Sequence, residues 1–513
     1  MRRFQLSLLA AVLVGLLVRW LVLRGANWRI DYDEAMVGLQ VTRLLHGEFA
    51  IFLPGQPYLG SLESYLLVPF FALFGANNPT LKLVPLLLSG VYVATTGLIA
   101  RVSFGERIGT LSAFIAALAP TYLIVVGLKA WGATSETLVL GNLLLLVTLT
   151  ILHSSSHSHR DWALLGLIVG CAFWISWLIA FYTVPVVLVL VWRFRRKILH
   201  YGWIGTLFFF LGSSPFWIYN IQYPLATFKF LLGGERGSTL LNSPRILKNF
   251  IVDLAPRLVS GDPAWHVLSR PMMWPLVIVY GVGLLQLVFI RQRRDSWLLA
   301  VFVICFLPLY IFSGFGINAL NPFGIDATGR YVLMLHSVLP IGLALLVRIR
   351  RIAGAMVAAV LMLNLVGVAR IDPTPAFASP YYIDQPATLH PLIDLLDSRG
   401  ITHIWTDVGI AHVLMFETHE RILAADYYDR VYAHGLLRFP EIFEAVTKAD
   451  RVAYVELIQP GQTDTPIDRA FTAAQIDYER LTPTPRLLVI IPRTAINPEQ
   501  VLAGLGFQYN QAP

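Results

Sequence analysis

Apolar runs long enough to cross a bilayer recur from Phe4 to Val368, and no other feature limits the fold of this 513-residue chain so strongly. About 20 apolar residues in a helix cover the hydrocarbon thickness of a membrane. Eleven runs come close to that length: 4–23, 81–100, 108–126, 137–152, 162–177, 178–192, 203–219, 272–290, 297–315, 331–347 and 352–368. The composition agrees, with 56% hydrophobic and 14% charged residues and a mean hydropathy of +0.64. Soluble domains carry about 25% charged residues, so the chain reads as an α-helical polytopic membrane protein. The basic start followed by a long apolar stretch, with no small-residue cleavage site after it, reads as an uncleaved first span.

A twelfth run, 62–74, is shorter and opens with Glu63 and Ser64. If it does not cross, every basic knot falls on one side: Arg2-Arg3, Arg101 with Arg107, Arg160, Arg193 to Lys197, Arg291 to Arg294, and Arg348 to Arg351. Basic loops mark the cytoplasmic side, so this run is expected to dip into the interface. About eleven transmembrane helices plus juxtamembrane helices follow, with the amino terminus cytoplasmic. Four features then face outward together: the first loop 24–80, the turn 127–136, the large loop 221–271 and the loop 316–330. The expected location is a cell membrane, of the bacterial inner-membrane kind.

The net charge of +8 is spent on those knots, so it makes no case for nucleic acid. Both cysteines, Cys171 and Cys305, lie within apolar runs and indicate neither a disulfide framework nor a metal site. From residue 371 the pattern changes. Pro373, Pro375, Pro380 and Pro386 mark a linker, and the apolar runs shrink to strand length at 401–406, 452–457 and 487–491. Helical stretches at 389–398 and 440–448 alternate with them, which reads as a small soluble α/β domain. Residues 1–370 then form the membrane domain and 371–513 an extracytoplasmic domain. No phosphate-cradling glycine loop occurs, so no nucleotide cofactor is expected.

The outward face carries the chemistry-bearing residues. Asp31-Tyr32-Asp33-Glu34 follows directly on the first span and opens an amphipathic stretch that suits a helix at a membrane surface, stopped by Gly47. Carboxylates in a first helical turn sit at the positive end of the dipole and tend to stay ionised. A structural reading is equally available: Asp33 caps the helix. The turn after the third run offers Lys129 and Glu136, which also suit a snorkelling lysine and a helix-start glutamate. Arg330 and Tyr331 begin the tenth run, where interfacial anchors are ordinary. Their convergence on one face gives these residues weight as a set.

Here the chain resembles a family. The Asp33-Glu34 pair of DYDEAMVGL just beyond span one looks like the signature of GT-C glycosyltransferases, closest in pattern to protein O-mannosyltransferases and lipid A aminoarabinose transferases. A juxtamembrane segment ending in FALFG (71–75), a cytoplasmic Phe-Gly-Glu-Arg turn (104–107) and a Gly-Arg-Tyr start (329–331) are also similar. GQPYLGSLES (55–64) resembles bacterial members that lack a His/Lys-Pro-Pro motif. The resemblance covers residues 1 to about 370.

The resemblance implies a GT-C-like membrane domain that transfers a sugar from a polyprenyl-phosphate carrier to an acceptor glycan, lipid or protein on the outer face. Asp33 is the expected base, since a carboxylate can take the proton of an attacking hydroxyl. Asp31, Glu34 and Glu63 are candidate substrate or metal contacts, and Glu136 and Tyr331 candidate substrate contacts. Lys129 and Arg330 are candidate partners of the departing lipid phosphate. Displacement with a single base implies inversion at the anomeric carbon. A divalent metal remains open. Two other readings stay in view: a transporter or flippase of lipid-linked sugars, and an inactive homologue that binds an envelope partner. Transporters place ionisable groups near the midplane, whereas the acids here gather outside the spans.

Overall fold

The computed structural model describes residues 2–154, 158–232, 239–265, 267–289, 297–320, 329–347, 351–379, 385–426, 438–462, 464–494 and 496. Two compact units emerge. The first contains the residues up to Asn27, Pro57–Glu63 and Lys82–Ala376; the second contains Trp28–Gln56, Ser64–Leu81 and the chain from Phe377 onward.

The first unit is helical. Among the described residues, six of its helices are long and apolar enough to cross a membrane, including Arg2–Gly25, Thr134–His153 and Arg270–Phe289. A seventh span arises if His200–Gly212 and Ser214–Gln222, bent by 59° at Ser213, count together. Leu6, Leu9, Leu13, Leu17 and Leu21 leave the first helix exposed along one stripe, as lipid contact requires.

Several apolar runs are broken where the pattern suggested a continuous helix, and each break has a physical cause. The run 108–126 divides into Glu106–Ala117 and Thr121–Val126, because Pro120 cannot continue the hydrogen-bond ladder. The carbonyls freed there are satisfied from neighbouring helices. The Arg19 guanidinium donates to Ala117 O at 2.9 Å and Ala116 O at 3.3 Å, and Asn364 Nδ2 donates to Leu118 O at 2.9 Å. A buried arginine inside the first apolar run is thus a helix-end cap supplied in space.

The run 331–347 opens as a 3-10 helix, Arg330–Ser337, before the α-helix Leu339–Leu346. Tyr92 Oη donates to His336 O at 2.9 Å, and Tyr182 Oη pairs with Ser337 Oγ at 2.7 Å. The basic stretch 193–197 was expected as a loop. It coincides with the join between two helices in the segment Ala180–Gly212, where Phe194 leaves helical geometry (φ −131°, ψ 36°), so the turn is a tight helical bend and no open loop.

Glycines let two neighbouring helices touch. A Cβ on Gly166 would meet Gly205 O at 2.1 Å, and one on Gly170 would meet Phe209 O at 2.2 Å. His159–Ile175 and Ala180–Gly212 therefore pack backbone to backbone, through the small-xxx-small spacing of GLIVG.

The second unit has a five-stranded sheet: β1 His403–Thr406, β2 Leu423–Asp426, β3 Ala453–Leu457, β4 Tyr478–Thr484 and β5 Leu487–Pro492, in spatial order β2-β1-β3-β5-β4. β1 pairs in parallel with β2 and β3, while β5 is antiparallel to both β3 and β4. The expected α/β character holds. The helix Val408–Glu417 is apolar all round and has too little contrast to stand out in sequence, while Pro466–Ala473 is amphipathic but only eight residues long. β4 reads polar because it is an edge, and its ladder is irregular between Leu481 and Thr484, where Pro483 cannot donate.

The helix Tyr32–Leu45 belongs to this unit, and its apolar face does not lie on a membrane. Met36, Val37, Leu39 and Val41 are buried in protein, and the helix packs on Val408–Glu417. Contact is close enough that a Cβ on Gly38 would fall 2.5 Å from the Phe416 ring. The helix ends at Leu45, and Gly47 follows with φ +89°.

Candidate active site

The acidic tetrapeptide divides its labour. Asp31 is the N-cap: Glu34 N donates to Asp31 Oδ1 at 3.1 Å, and Asp31 N donates to Glu34 Oε2 at 3.2 Å. This reciprocal capping box holds both carboxylates in buried positions. The capping role considered for Asp33 belongs to Asp31, and Asp33 lies one turn position further on, half-buried.

Asp33 has a different partner. Arg438 Nη1 lies 3.0 Å from Asp33 Oδ1, and the same guanidinium stands 5.3 Å from the Tyr32 ring centroid and 3.2 Å from Met36 Sδ. Among the described residues, Asp33 Oδ2 accepts no hydrogen bond. One oxygen is anchored and the other is open. His412 backs this arrangement, with Nδ1 3.3 Å from Tyr32 O and its ring edge-on to Phe439. Burial pushes the His412 imidazole well below its usual range, and the Arg438 charge pushes it further, so it stays neutral. Arg438 was not visible in the sequence, because nothing local ties it to Asp33, 405 residues earlier.

In the first unit, a second group gathers around the turn after Val126. Glu63 Oε2 accepts from Gly132 N at 2.6 Å, and the Glu136 side chain hydrogen-bonds that of Glu63. Gly132 and Ala133 both adopt left-handed backbone, with φ +64° and +69°. Trp131 was not singled out in the sequence, and it carries both cations: Lys129 Nζ is 4.8 Å and the Arg330 guanidinium 5.3 Å from its ring. Lys129 is only 3% exposed, which removes it from the snorkelling role. Tyr331 is buried with its ring edge-on to Phe315 at 5.6 Å. Glu63, Lys129, Glu136, Arg330 and Tyr331 thus belong to one unit, and Asp31, Asp33 and Glu34 to the other. Among the described residues, no three His, Cys, Asp or Glu side chains converge as metal ligands do.

The helical bundle with its small α/β unit has counterparts among solved structures, and part of the bundle matches a family model. Residues 61–219 match the family model described as dolichyl-phosphate-mannose-protein mannosyltransferase. Among solved structures, ArnT from Cupriavidus metallidurans bound to undecaprenyl phosphate is similar with a TM-score of 0.54 at 14% identity, covering 94% of this chain and 97% of that one. The Archaeoglobus fulgidus oligosaccharyltransferase in complex with Zn and sulfate gives 0.53 at 12% identity, covering 97% and 76%. The Archaeoglobus fulgidus AglB in complex with an inhibitory peptide and a dolichol-phosphate gives 0.50 at 12%, covering 98% and 77%. No curated protein matches the chain.

Proposed function

We infer that the protein is a membrane glycosyltransferase that moves a sugar from a polyprenyl-phosphate carrier to an acceptor hydroxyl. The observation that carries this reading is the state of Asp33. Its Oδ1 is fixed by Arg438 while Oδ2 is open, and capping is done by Asp31 instead. A carboxylate with one oxygen anchored by a guanidinium and the other accepting no hydrogen bond from the described residues suits a general base. The acceptor oxygen attacks the anomeric carbon, the bond from that carbon to the phosphate oxygen breaks, and the hydroxyl proton passes to Asp33. Direct displacement inverts the anomeric centre. Lys129 and Arg330 receive the departing phosphate, whose negative charge grows as the bond breaks.

The similar solved structures hold undecaprenyl phosphate and dolichol-phosphate, which supports a lipid-linked donor here. Asp31 and Glu34 are engaged with each other in the capping box. The one-sided basic knots support an outward-facing acidic turn and carboxyl-terminal domain, with the amino terminus cytoplasmic. The test is transfer by the purified full chain from a panel of labelled polyprenyl-phosphate sugars. Turnover of one donor by the native protein and its loss in Asp33→Asn is the expected result. Movement of intact donor across proteoliposomes without transfer would favour a flippase instead.

A further inference from the structure

We propose that Trp131 is a positioning residue for the lipid phosphate, its indole face holding Lys129 and Arg330 as a pair of cations. This rests on the reading of those two residues as phosphate partners. The geometry is specific to the ring. Lys129 Nζ and the Arg330 guanidinium stand 4.8 and 5.3 Å from one centroid, so their charges lie no more than about 10 Å apart. A phosphate that accepts a hydrogen bond from either side, each about 2.8 Å long, bridges roughly 8 Å. Two like charges at this spacing repel, and Lys129 is almost wholly withdrawn from water. The negative face of the indole offsets that repulsion until an anion arrives.

The ring itself is set by its turn. Gly132 and Ala133 follow Trp131 in left-handed backbone, a conformation that costs an alanine energy and persists only where the surroundings enforce it. The enforcement is visible: Gly132 N is held by the Glu63 carboxylate at 2.6 Å, and Thr134 N returns to Gly132 O at 2.9 Å. Trp131 is 5% exposed, so the ring has little freedom to turn away. The Glu63 latch, the turn, the ring and the two cations form one chain of contacts within a single compact unit. Each cation also has the backbone of a different element beneath it, since Lys129 precedes Thr134–His153 and Arg330 begins the 3-10 helix Arg330–Ser337. The ring stands beside the charges of both elements.

The experiment measures binding of undecaprenyl phosphate, of undecaprenol and of inorganic phosphate to the purified full chain in detergent, for Trp131→Leu, Trp131→Phe and Arg330→Ala. Donor KM and kcat are read in parallel. Trp131→Leu is expected to weaken undecaprenyl phosphate roughly tenfold and to raise donor KM with little change in kcat, while undecaprenol binding is unaffected. Trp131→Phe keeps an aromatic face and should stay within about threefold of the native protein. Native affinity in Trp131→Leu alongside weakened binding in Arg330→Ala would overturn the role of the ring and leave the phosphate reading standing. Equal loss of undecaprenol binding, or a Phe variant as poor as Leu, would make Trp131 a packing residue and overturn the proposal. No effect of Arg330→Ala would remove the phosphate reading itself. Inorganic phosphate that binds as tightly as the lipid would mark a free-anion site and overturn the assignment to the lipid headgroup.

Discussion

Asp33 and Arg438, 405 residues apart in sequence, form an ion pair with Nη1 3.0 Å from Oδ1. The side chains are only 19% and 13% exposed, so the pair is better shielded from water than a surface contact. Arg438→Gln should leave a donor for one hydrogen bond but no charge, and transfer should fall about tenfold to a hundredfold as the carboxylate loses its fixed direction. Arg438→Lys should recover part of it. Steady-state kinetics on the purified protein decide the matter, and a native rate in Arg438→Gln would remove any role for the pair in transfer.

The cap and the base can be separated by two substitutions. Asp33→Asn should lower transfer by roughly two to four orders of magnitude, and it should also lower thermal stability, because the shielded Arg438 guanidinium loses its charge partner. Asp31→Ala removes the N-cap and should cost about 1 kcal/mol of stability. If Asp31→Asn abolishes transfer and Asp33→Asn does not, the assignment within the acidic turn is off by two residues.

Phosphate handling divides between two cations. Arg330→Ala and Lys129→Ala should each raise donor KM, and the Lys129 variant should also lose stability because its side chain is buried. Unchanged donor kinetics in a well-folded Arg330→Ala protein would return that residue to the part of an interfacial anchor.

Glu456, in β3, gives the carboxyl-terminal domain a pH dependence. Burial raises its carboxyl to about 7, with Asp468 adding in the same direction and Thr465, the Ile467 backbone and Arg469 opposing. The folded state therefore binds a proton that the unfolded chain has released near pH 4.5. This contribution to stability is complete below the unfolded value and is lost as pH rises towards about 7. Protection factors from hydrogen exchange across Ala453–Leu457 in the full chain, corrected for the intrinsic pH dependence of amide exchange, should be lower at pH 8 than at pH 5, and Glu456→Gln should flatten the difference. Equal protection factors at both pH values in the native protein would contradict it.

Topology is accessible to labelling. A cysteine placed in 193–197 should resist a membrane-impermeant thiol reagent in intact cells, while one at Gln459 should react. The reverse pattern would turn the acidic turn to the cytoplasmic side.

The sequence was most legible where the signal is local. Helices at 389–398 and 440–448 fall within a residue of His390–Ser398 and Pro440–Lys448, because amphipathic period and proline starts mark them. The capping box was legible too, since Asp31 and Glu34 stand three apart, but the eye goes to Asp33 when all three acids are weighed as one cluster. Trp131 passed unnoticed because a tryptophan at a membrane boundary is ordinary, and only the positions of Lys129 and Arg330 around it give it meaning. Arg19 was hidden in an apolar run, since its partners are carbonyls at 116 and 117 that a single sequence does not pair with it.

The backbone contacts at Gly166 and Gly170 bear on how the chain is assembled. His159–Ile175 and Ala180–Gly212 are consecutive, with only a short 3-10 turn between them, and their match depends on no residue made later. The part after Phe194 returns in parallel beside His159–Ile175, with Gly166 against Gly205 and Gly170 against Phe209, so the two can join while the ribosome is still adding the helices beyond, and offer those later segments a rigid wall to dock on. A methyl group at Gly166 or Gly170 would then act during biosynthesis. It would show as chains degraded before completion, with little change in the catalytic constants of the molecules that escape.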